Sequence, residues 1–296
     1  MSSNRNLANA KAVKNDEFYT RYEDIEKELN LYDDKLFYDK IILCPCDDYQ
    51  WSNFTKYFKN NFERYHLKKL ICTCYNDKAG DYHYYDLFTE EHGKLYIYDG
   101  KNEIIKDLDG NGDFRSPEIT KYRDYADIIV TNPPFSLFGD FLPWVINKKF
   151  LFIASLITVG NVSVFKYFKN KKLFIGNNNI IKFITEDNKL KVFGNIGWFT
   201  NLITHNNKPN IVPNVNFNDH KYRHYDNYPD IIDVPELSLI PKDYDGIMGV
   251  PITLLTRHNY DDFDIIMACN GKDAALLDGK AQFLRLLIKR KKDEKR

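Results

Sequence analysis

The residues of this chain that most directly suggest chemistry are Asn132-Pro133-Pro134-Phe135, which stop the apolar run Asp127–Val130 just after Thr131. Each proline fixes its own φ and lacks an N–H donor. The residue before a proline is held extended. The corner is therefore stiff, rich in carbonyl acceptors and poor in donors, and Asn132 adds a side-chain carbonyl. Two rigid acceptors suit an amino group, which donates two hydrogens, and Phe135 can stack on a flat ring beside it. In open α/β sheets ligands bind outside the carboxyl ends of the strands, so the location suits the chemistry.

The pattern Asn-Pro-Pro-aromatic resembles the catalytic motif of amino-methyltransferases. That resemblance implies that the Asn132 side chain and the Pro133 carbonyl hold the target amine, with S-adenosylmethionine as methyl donor. No metal and no covalent intermediate are required, because positioning and preorganised dipoles carry the rate. A donor site is then expected on earlier strands. The stretch "LCPCDDYQWSNF" has no glycine-rich nucleotide loop, which argues against a nicotinamide enzyme. It offers Cys46, Asp47 and Asp48 at a strand end, where a carboxylate can take the donor's ammonium. The plainer reading is that both acids favour the start of the following helix. Asn76 or Asp77, after "CTCY", would meet ribose hydroxyls.

Further pieces occur in order: "KNDEFYTRYEDIEKEL", "CPCDDYQWSNFTKYF", "GDFRSPEI", "ADIIVTNPPFSLF", "GNIGWFTNL" and "YDGIMGVPITLL". Together they resemble the EcoRI-type adenine-specific DNA methyltransferase family across most of the chain. The resemblance implies methylation of the exocyclic amine of adenine in a specific duplex DNA sequence. It places Phe18, Tyr19, Thr20, Cys46, Asp47, Asp48, Asn76, Asp113 and Phe114 at the donor and Asn132, Pro133, Pro134 and Phe135 at the reaction. Such an enzyme must flip its base out of the duplex at a cost of a few kcal/mol. Trp198 and Phe199 are expected to wall the base, although the bland reading for either is core. Lys208, Lys221 and Arg223, with His205, His220 and His224 nearby, are expected at DNA phosphates. The target sequence does not carry over, because the stretch 204–230 is individual to this chain. A cognate restriction nuclease is a partner that the family allows.

Three rivals stand beside this reading. A protein glutamine methyltransferase uses the same corner on a side-chain amide. A silent DNA- or donor-binding protein would keep the site without turnover. The segment "DLDGNGDFRSPE" (107–118) fits a calcium-loop pattern, but a strand and not a helix leads into it, and Pro117 interrupts it.

Composition sets the outer bounds. The 296 residues carry 42 basic and 42 acidic side chains, so net charge gives no argument for nucleic acid. Hydrophobic residues are 43% and no window approaches a membrane span, so a folded, cytoplasmic protein is expected. The five cysteines, with no secretory signal, read as reduced thiols. "CPC" and "CTC" end strand-like runs, and their spacing argues against zinc.

The elements that must position the corner follow from periodicity. Strands are expected at Lys40–Leu43, Lys69–Cys74, Lys94–Tyr98, Asp127–Val130, Phe150–Ser155 and Lys172–Gly176. Phe54, Phe58, Phe62 and Tyr65 mark one helix face, capped by Ser52. "EDIEKELNLYDDK" is a second helix, and Ser136 should cap a third. This alternation predicts a doubly wound, mainly parallel, Rossmann-like α/β sheet. The expected division is a donor-binding catalytic domain at 1–177 and an irregular target-recognition lobe at 178–296, ending in a basic helix from Ala274.

Overall fold

A computed structural model describes residues 19–76, 92–184, 190–203 and 208–291. Phe18, Asp77 and His205 lie outside these residues. In chain order the elements begin β1 (Tyr19–Thr20), α1 (Tyr22–Leu29), β2 (Ile41–Cys44), α2 (Asn53–Asn60), β3 (Lys69–Cys74), β4 (Lys94–Tyr98) and β5 (Glu103–Asp107). There follow α3 (Pro117–Tyr125), β6 (Ile128–Thr131), α4 (Phe138–Val145), β7 (Lys149–Ser155), α5 (Val162–Lys169), β8 (Phe174–Ile184) and β9 (Leu190–Thr200). The last are β10 (Arg223–Tyr225), β11 (Tyr228–Asp233), β12 (Ile247–Pro251), α6 (Thr253–Arg257), β13 (Phe263–Cys269), β14 (Leu276–Leu277), β15 (Lys280–Ala281) and β16 (Arg285–Arg290).

Contacts divide the chain into two compact units, Met1–Ser155 with Asn178–Leu202, and Leu156–Asn177 with Ile203–Arg296. The chain passes between them three times, and one passage, at 177/178, lies inside β8.

The first unit is built on a nine-stranded sheet of order β1-β8-β9-β7-β6-β2-β3-β4-β5. Its centre is parallel: β2 pairs with β3 and with β6, and β6 with β7. The flanks β3–β4, β4–β5, β7–β9 and β1–β8 are antiparallel. The expectation of a mainly parallel sheet is therefore corrected to a mixed one. Parallel neighbours need long crossovers, and only α2 and α4 supply them between adjacent central strands. β4 and β5 are joined by a tight turn, in which Asp99 accepts the N–H groups of Lys101 and Asn102. The crossover β2–α2–β3 runs one way along the sheet and β6–α4–β7 the other. Sheet order thus reverses between β2 and β6.

α2 forms where phenylalanine recurs on one face. Phe54, Tyr57 and Phe58 are buried, and Ser52 caps the helix by accepting from the Phe54 N–H at 3.1 Å. The helix ends at Asn60, yet Phe62 and Tyr65 stay in the core. Ser136 does not cap α4. It lies within a short 3-10 turn, Phe135–Leu137, that starts at Pro134, whose carbonyl accepts the Leu137 N–H at 2.9 Å. The buried Glu28 of α1 accepts from Tyr32 Oη and from the backbone and side chain of Asn178, fixing α1 to β8.

The second unit corrects the expectation of an irregular lobe. It contains a five-stranded sheet of order β10-β11-β12-β16-β13. The segment read as a basic helix is instead the β14–β15 hairpin followed by β16. Asp278 and Gly279, at φ 51° and 70°, form its two-residue turn between Leu277 and Lys280. An Asp-Gly pair in the left-handed region is strong hairpin chemistry, and no helix continues through it. Among the described residues no helix is long and apolar enough to cross a membrane.

Candidate active site at the order reversal

The carboxyl ends of β2 and β6 lie side by side where the sheet order reverses, the position at which an open α/β sheet leaves a crevice. The turn after β2 supplies Cys46, Asp47 and Asp48, and the turn after β6 supplies Asn132 to Phe135. Direct bonds tie the two turns. The Thr131 hydroxyl, at the end of β6, donates to Asp47 Oδ2 at 2.5 Å and accepts the Cys46 N–H at 3.2 Å. Ser52 Oγ donates to Asp47 Oδ1 at 2.7 Å, and the Asn132 N–H also donates to this carboxylate. Asp47 is only 5% exposed. Burial raises its pKa to about 6, against the lowering effect of those three donors.

A third segment joins them. Asn53, the first residue of α2, donates from its side chain to the Thr20 carbonyl at 2.8 Å. Thr20 pairs with Phe183 across β1 and β8, and the Phe183 ring meets Phe135 edge-on at 6.2 Å. The Tyr19-Thr20 segment, the acidic turn and the proline corner are thus linked through named contacts. Asn132, Pro134 and Phe135 are half-buried, and Pro133 is buried.

The loop after β5 closes over β3. The Asn76 N–H donates to the Asn111 carbonyl at 2.9 Å. Gly112 has φ 83°, and a Cβ there would collide with the Cys74 carbonyl, so only glycine fits. Asp113 is held by Arg115, whose guanidinium also reaches Asp140 at 3.1 Å. That pairing lowers the Asp113 pKa. In the 107–118 loop, Glu118 accepts the N–H groups of Asp109 and Gly110, and Asp107 pairs with Lys94. Of its acids, Asp113 and Glu118 are thus engaged within the loop and Asp107 by a lysine of β4.

Not every expected residue comes to the site. Phe114 is 3% exposed and packs edge-on against Phe141 and Trp144. Trp198 and Phe199 are both fully buried on β9: Trp198 meets Phe54 edge-on, and Phe199 stacks on Phe152 at 5.6 Å. Both are core, which corrects the expected stacking wall; rings covered on the sheet have no face to offer an incoming base. Lys208, expected at DNA, is buried in the second unit. Its Nζ donates to the carbonyls of Ile175, Gly176 and Leu255 at 2.7, 3.0 and 2.7 Å. Lys221 and Arg223 are exposed, and Arg223 pairs with Asp278 at 2.6 Å.

Sequence reasoning missed Thr131, Ser52 and Asn53 as members of this network. Ser52 was legible only as a helix cap. Nothing local marks Thr131, because its role depends on which strand lies beside β6.

Comparison with known proteins places these motifs in context. Residues 6–296 match the family model described as adenine-specific methyltransferase EcoRI. The chain is 37% identical over 327 residues to Type II methyltransferase M.EcoRI of Escherichia coli, covering 99% of each. It is 34% identical to Type II methyltransferase M.MgeORF184P of Mycoplasma genitalium, over 95% of this chain and 97% of that one. It is 33% identical to Type II methyltransferase M.MpnI of Mycoplasma pneumoniae, over 96% and 98%. No solved structure matches the chain.

Proposed function

The chain belongs to the adenine-specific methyltransferase EcoRI family and is a site-specific DNA methyltransferase, and from that premise we propose that it transfers a methyl group to the exocyclic amine of an adenine flipped from duplex DNA. The observation that carries this reading is the Asn132–Phe135 corner, set beside the acidic turn of β2 at the reversal of sheet order. S-adenosylmethionine is the proposed donor, and it supplies an electrophilic methyl group when bound. The chain offers a polar atom suited to such a ligand. Thr20 is 3% exposed, and its hydroxyl has no hydrogen-bond partner among the described residues. Tyr19, Thr20, Asp48, Asn76 and Asp113 are the residues proposed to hold the donor.

The chain's own part in the reaction is electrostatic. The Asn132 side-chain carbonyl and the Pro133 carbonyl accept the two amine hydrogens. That orients the nitrogen lone pair and stabilises the positive charge that develops on the amine as it is methylated. Pro133 and Pro134 hold these acceptors without competing donors. Phe135, half-buried beside Phe183, is the ring on which the base stacks. With Trp198 and Phe199 in the core, it carries that role alone among the three expected rings. The second unit is proposed to read the target sequence and Lys221 and Arg223 to meet phosphates. A cognate nuclease is the proposed partner in a restriction–modification pair.

The test is tritiated methyl transfer from S-adenosylmethionine to unmodified plasmid DNA, beside the same assay on protein extract. Label in N6-methyladenine, lost in Asn132→Ala with donor affinity retained, supports the reading. Label in protein glutamine, or full activity of Asn132→Ala, overturns it.

A further inference from the structure

Asp47 or Asp48 is expected from the sequence to bind the donor's ammonium. The structure gives Asp47 a different role. We infer that Asp47, through Thr131 and the Asn132 N–H, is a positioning residue that sets the Asn132 carbonyl in place for the amine. The inference rests on the proposed methyl transfer at Asn132 and names what holds that residue.

Three observations carry it. First, the carboxylate is already occupied. Oδ1 accepts Ser52 Oγ at 2.7 Å, Oδ2 accepts Thr131 Oγ1, and the Asn132 N–H donates to the same group. Such bonds to an ionised acceptor are about twice as strong as neutral ones. Second, Asp47 is 5% exposed and Thr131 not exposed at all. A buried acid with three internal donors is badly placed to meet a ligand's ammonium. Its neighbour Asp48 is less buried, and its Oδ1 only closes a local turn onto Gln50 and Trp51. Third, the donors come from different places. Ser52 opens α2, Thr131 ends β6 and Asn132 starts the corner. One carboxylate therefore fixes the corner against the turn of the neighbouring strand. Thr131 passes the constraint on, since its oxygen accepts the Cys46 N–H at 3.2 Å. A corner whose prolines remove its own N–H donors needs an outside anchor, and Asn132 carries the last N–H before them.

Among the described residues, the titratable groups named around Asp47 are all acids: Asp48 and Cys46 on its own turn, Cys44 on β2 and Cys74 on β3. From β6 and α2 it meets only hydroxyl and amide donors. Its carboxylate titrates at about 6, so proton uptake replaces an acceptor with a group that must also donate. The anchor therefore weakens as pH falls through 6. Stability has the opposite sign. The folded pKa lies above the ordinary aspartate value of 3.8, so the folded state takes up the proton more readily, and Asp47 favours folding less as pH rises from about 4 to about 6. A merely structural acid would move the melting temperature over this window and leave the saturated rate alone.

The experiment uses the full chain, S-adenosylmethionine and unmodified plasmid DNA. It measures single-turnover methyl transfer at saturating donor and donor affinity by calorimetry. The expected result is a rate that falls below pH 6 in the wild type. Thr131→Val should lose about 100-fold in that rate, the scale of a small misplacement of a reacting group, with donor affinity within threefold. Thr131→Ser keeps the hydroxyl and should stay within threefold of wild type. Three results overturn the inference: a flat wild-type rate from pH 5 to 7.5, Asp47→Asn weakening donor binding tenfold or more while the saturated rate persists, or a Thr131→Val rate equal to wild type. The first needs no variant to fold. Absence of transfer to DNA by the wild type would instead refute the underlying activity, whereas transfer with Thr131→Val equal to wild type refutes only the positioning role.

Discussion

In the first unit the buried acid Asp47 faces the site; in the second the buried base Lys208 is turned onto the main chain. Both are nearly inaccessible, and each is held by three named hydrogen bonds. Asp47 joins the turn of one strand to the corner of another, where the sheet order reverses and a crevice must form. Lys208 joins the backbone carbonyls of two residues of β8 and one of α6. A buried charge is thus no indication of a site by itself. Its partners decide: side chains and N–H groups of the proposed catalytic turn in one case, main-chain carbonyls in the other.

The largest effect should come from cutting the site on its reactive side. Asn132→Ala removes one of the two proposed amine acceptors, and the saturated methyl-transfer rate should fall about 10³-fold, roughly 4 kcal/mol of barrier. Chemical denaturation should show little change in stability. A comparable loss of stability would mean that the corner belongs to the architecture, as Lys208 does, and would erase the contrast.

The mirror-image variant is Lys208→Met. The stem is conserved in size, but three carbonyls lose their donor, so unfolding should become easier by about 3 kcal/mol. The saturated rate per folded molecule should hold. If DNA affinity falls while stability does not, Lys208 is a contact residue after all and the burial is misleading.

How far the sequence shows this contrast depends on the kind of signal. β3 and β4 sit where apolar runs place them, and β2, β6 and β7 are within a residue or two. The proline corner was legible because proline acts through its own covalent geometry. What was not legible depends on neighbours distant in sequence. Thr131 serves the site only because β2 pairs with β6, and Trp198 and Phe199 are core only because β9 pairs with β7. The hairpin at Leu277–Lys280 is a different case. Its Asp-Gly turn was plain in the sequence, but the leucine-rich, lysine-rich surroundings fit a helical stripe equally well. β16 shows why the period misled: Leu286, Leu287 and Ile288 are all buried, as in a strand covered on both sides.

A smaller effect tests how rigid the second unit is. Gly249 on β12 lies against Tyr225, whose hydroxyl donates to Asp233 at 2.6 Å while Arg285 approaches the same carboxylate at 3.2 Å. A Cβ at position 249 would overlap that hydroxyl. Gly249→Ala should cost about 2 kcal/mol by overpacking. Tyr225→Phe in the same chain should recover part of this, since the nearest atom, the hydroxyl at 2.2 Å, leaves while ring carbons at 2.5 and 2.7 Å stay. No recovery would mean that the ring carbons, and not the hydroxyl, set the cost.

The smallest expected change sharpens the comparison most, because it concerns a charge that is not buried. Arg223 pairs with Asp278, and the two side chains are 54% and 78% exposed. Such a pair contributes little to stability, so Arg223→Ala should shift unfolding by less than about 0.5 kcal/mol. If the second unit meets DNA phosphates through this face, the variant should bind plasmid DNA a few-fold more weakly. The slope of log affinity against log salt should also drop by about 1. Asp278→Asn makes the opposite perturbation. Asparagine tolerates the left-handed φ of this turn position, so the hairpin survives while Arg223 loses its acid. DNA affinity at low salt should then rise or hold, never fall. Equal losses in both variants would show that the ion pair shapes the hairpin and that the exposed arginine, like the buried lysine, works for the fold.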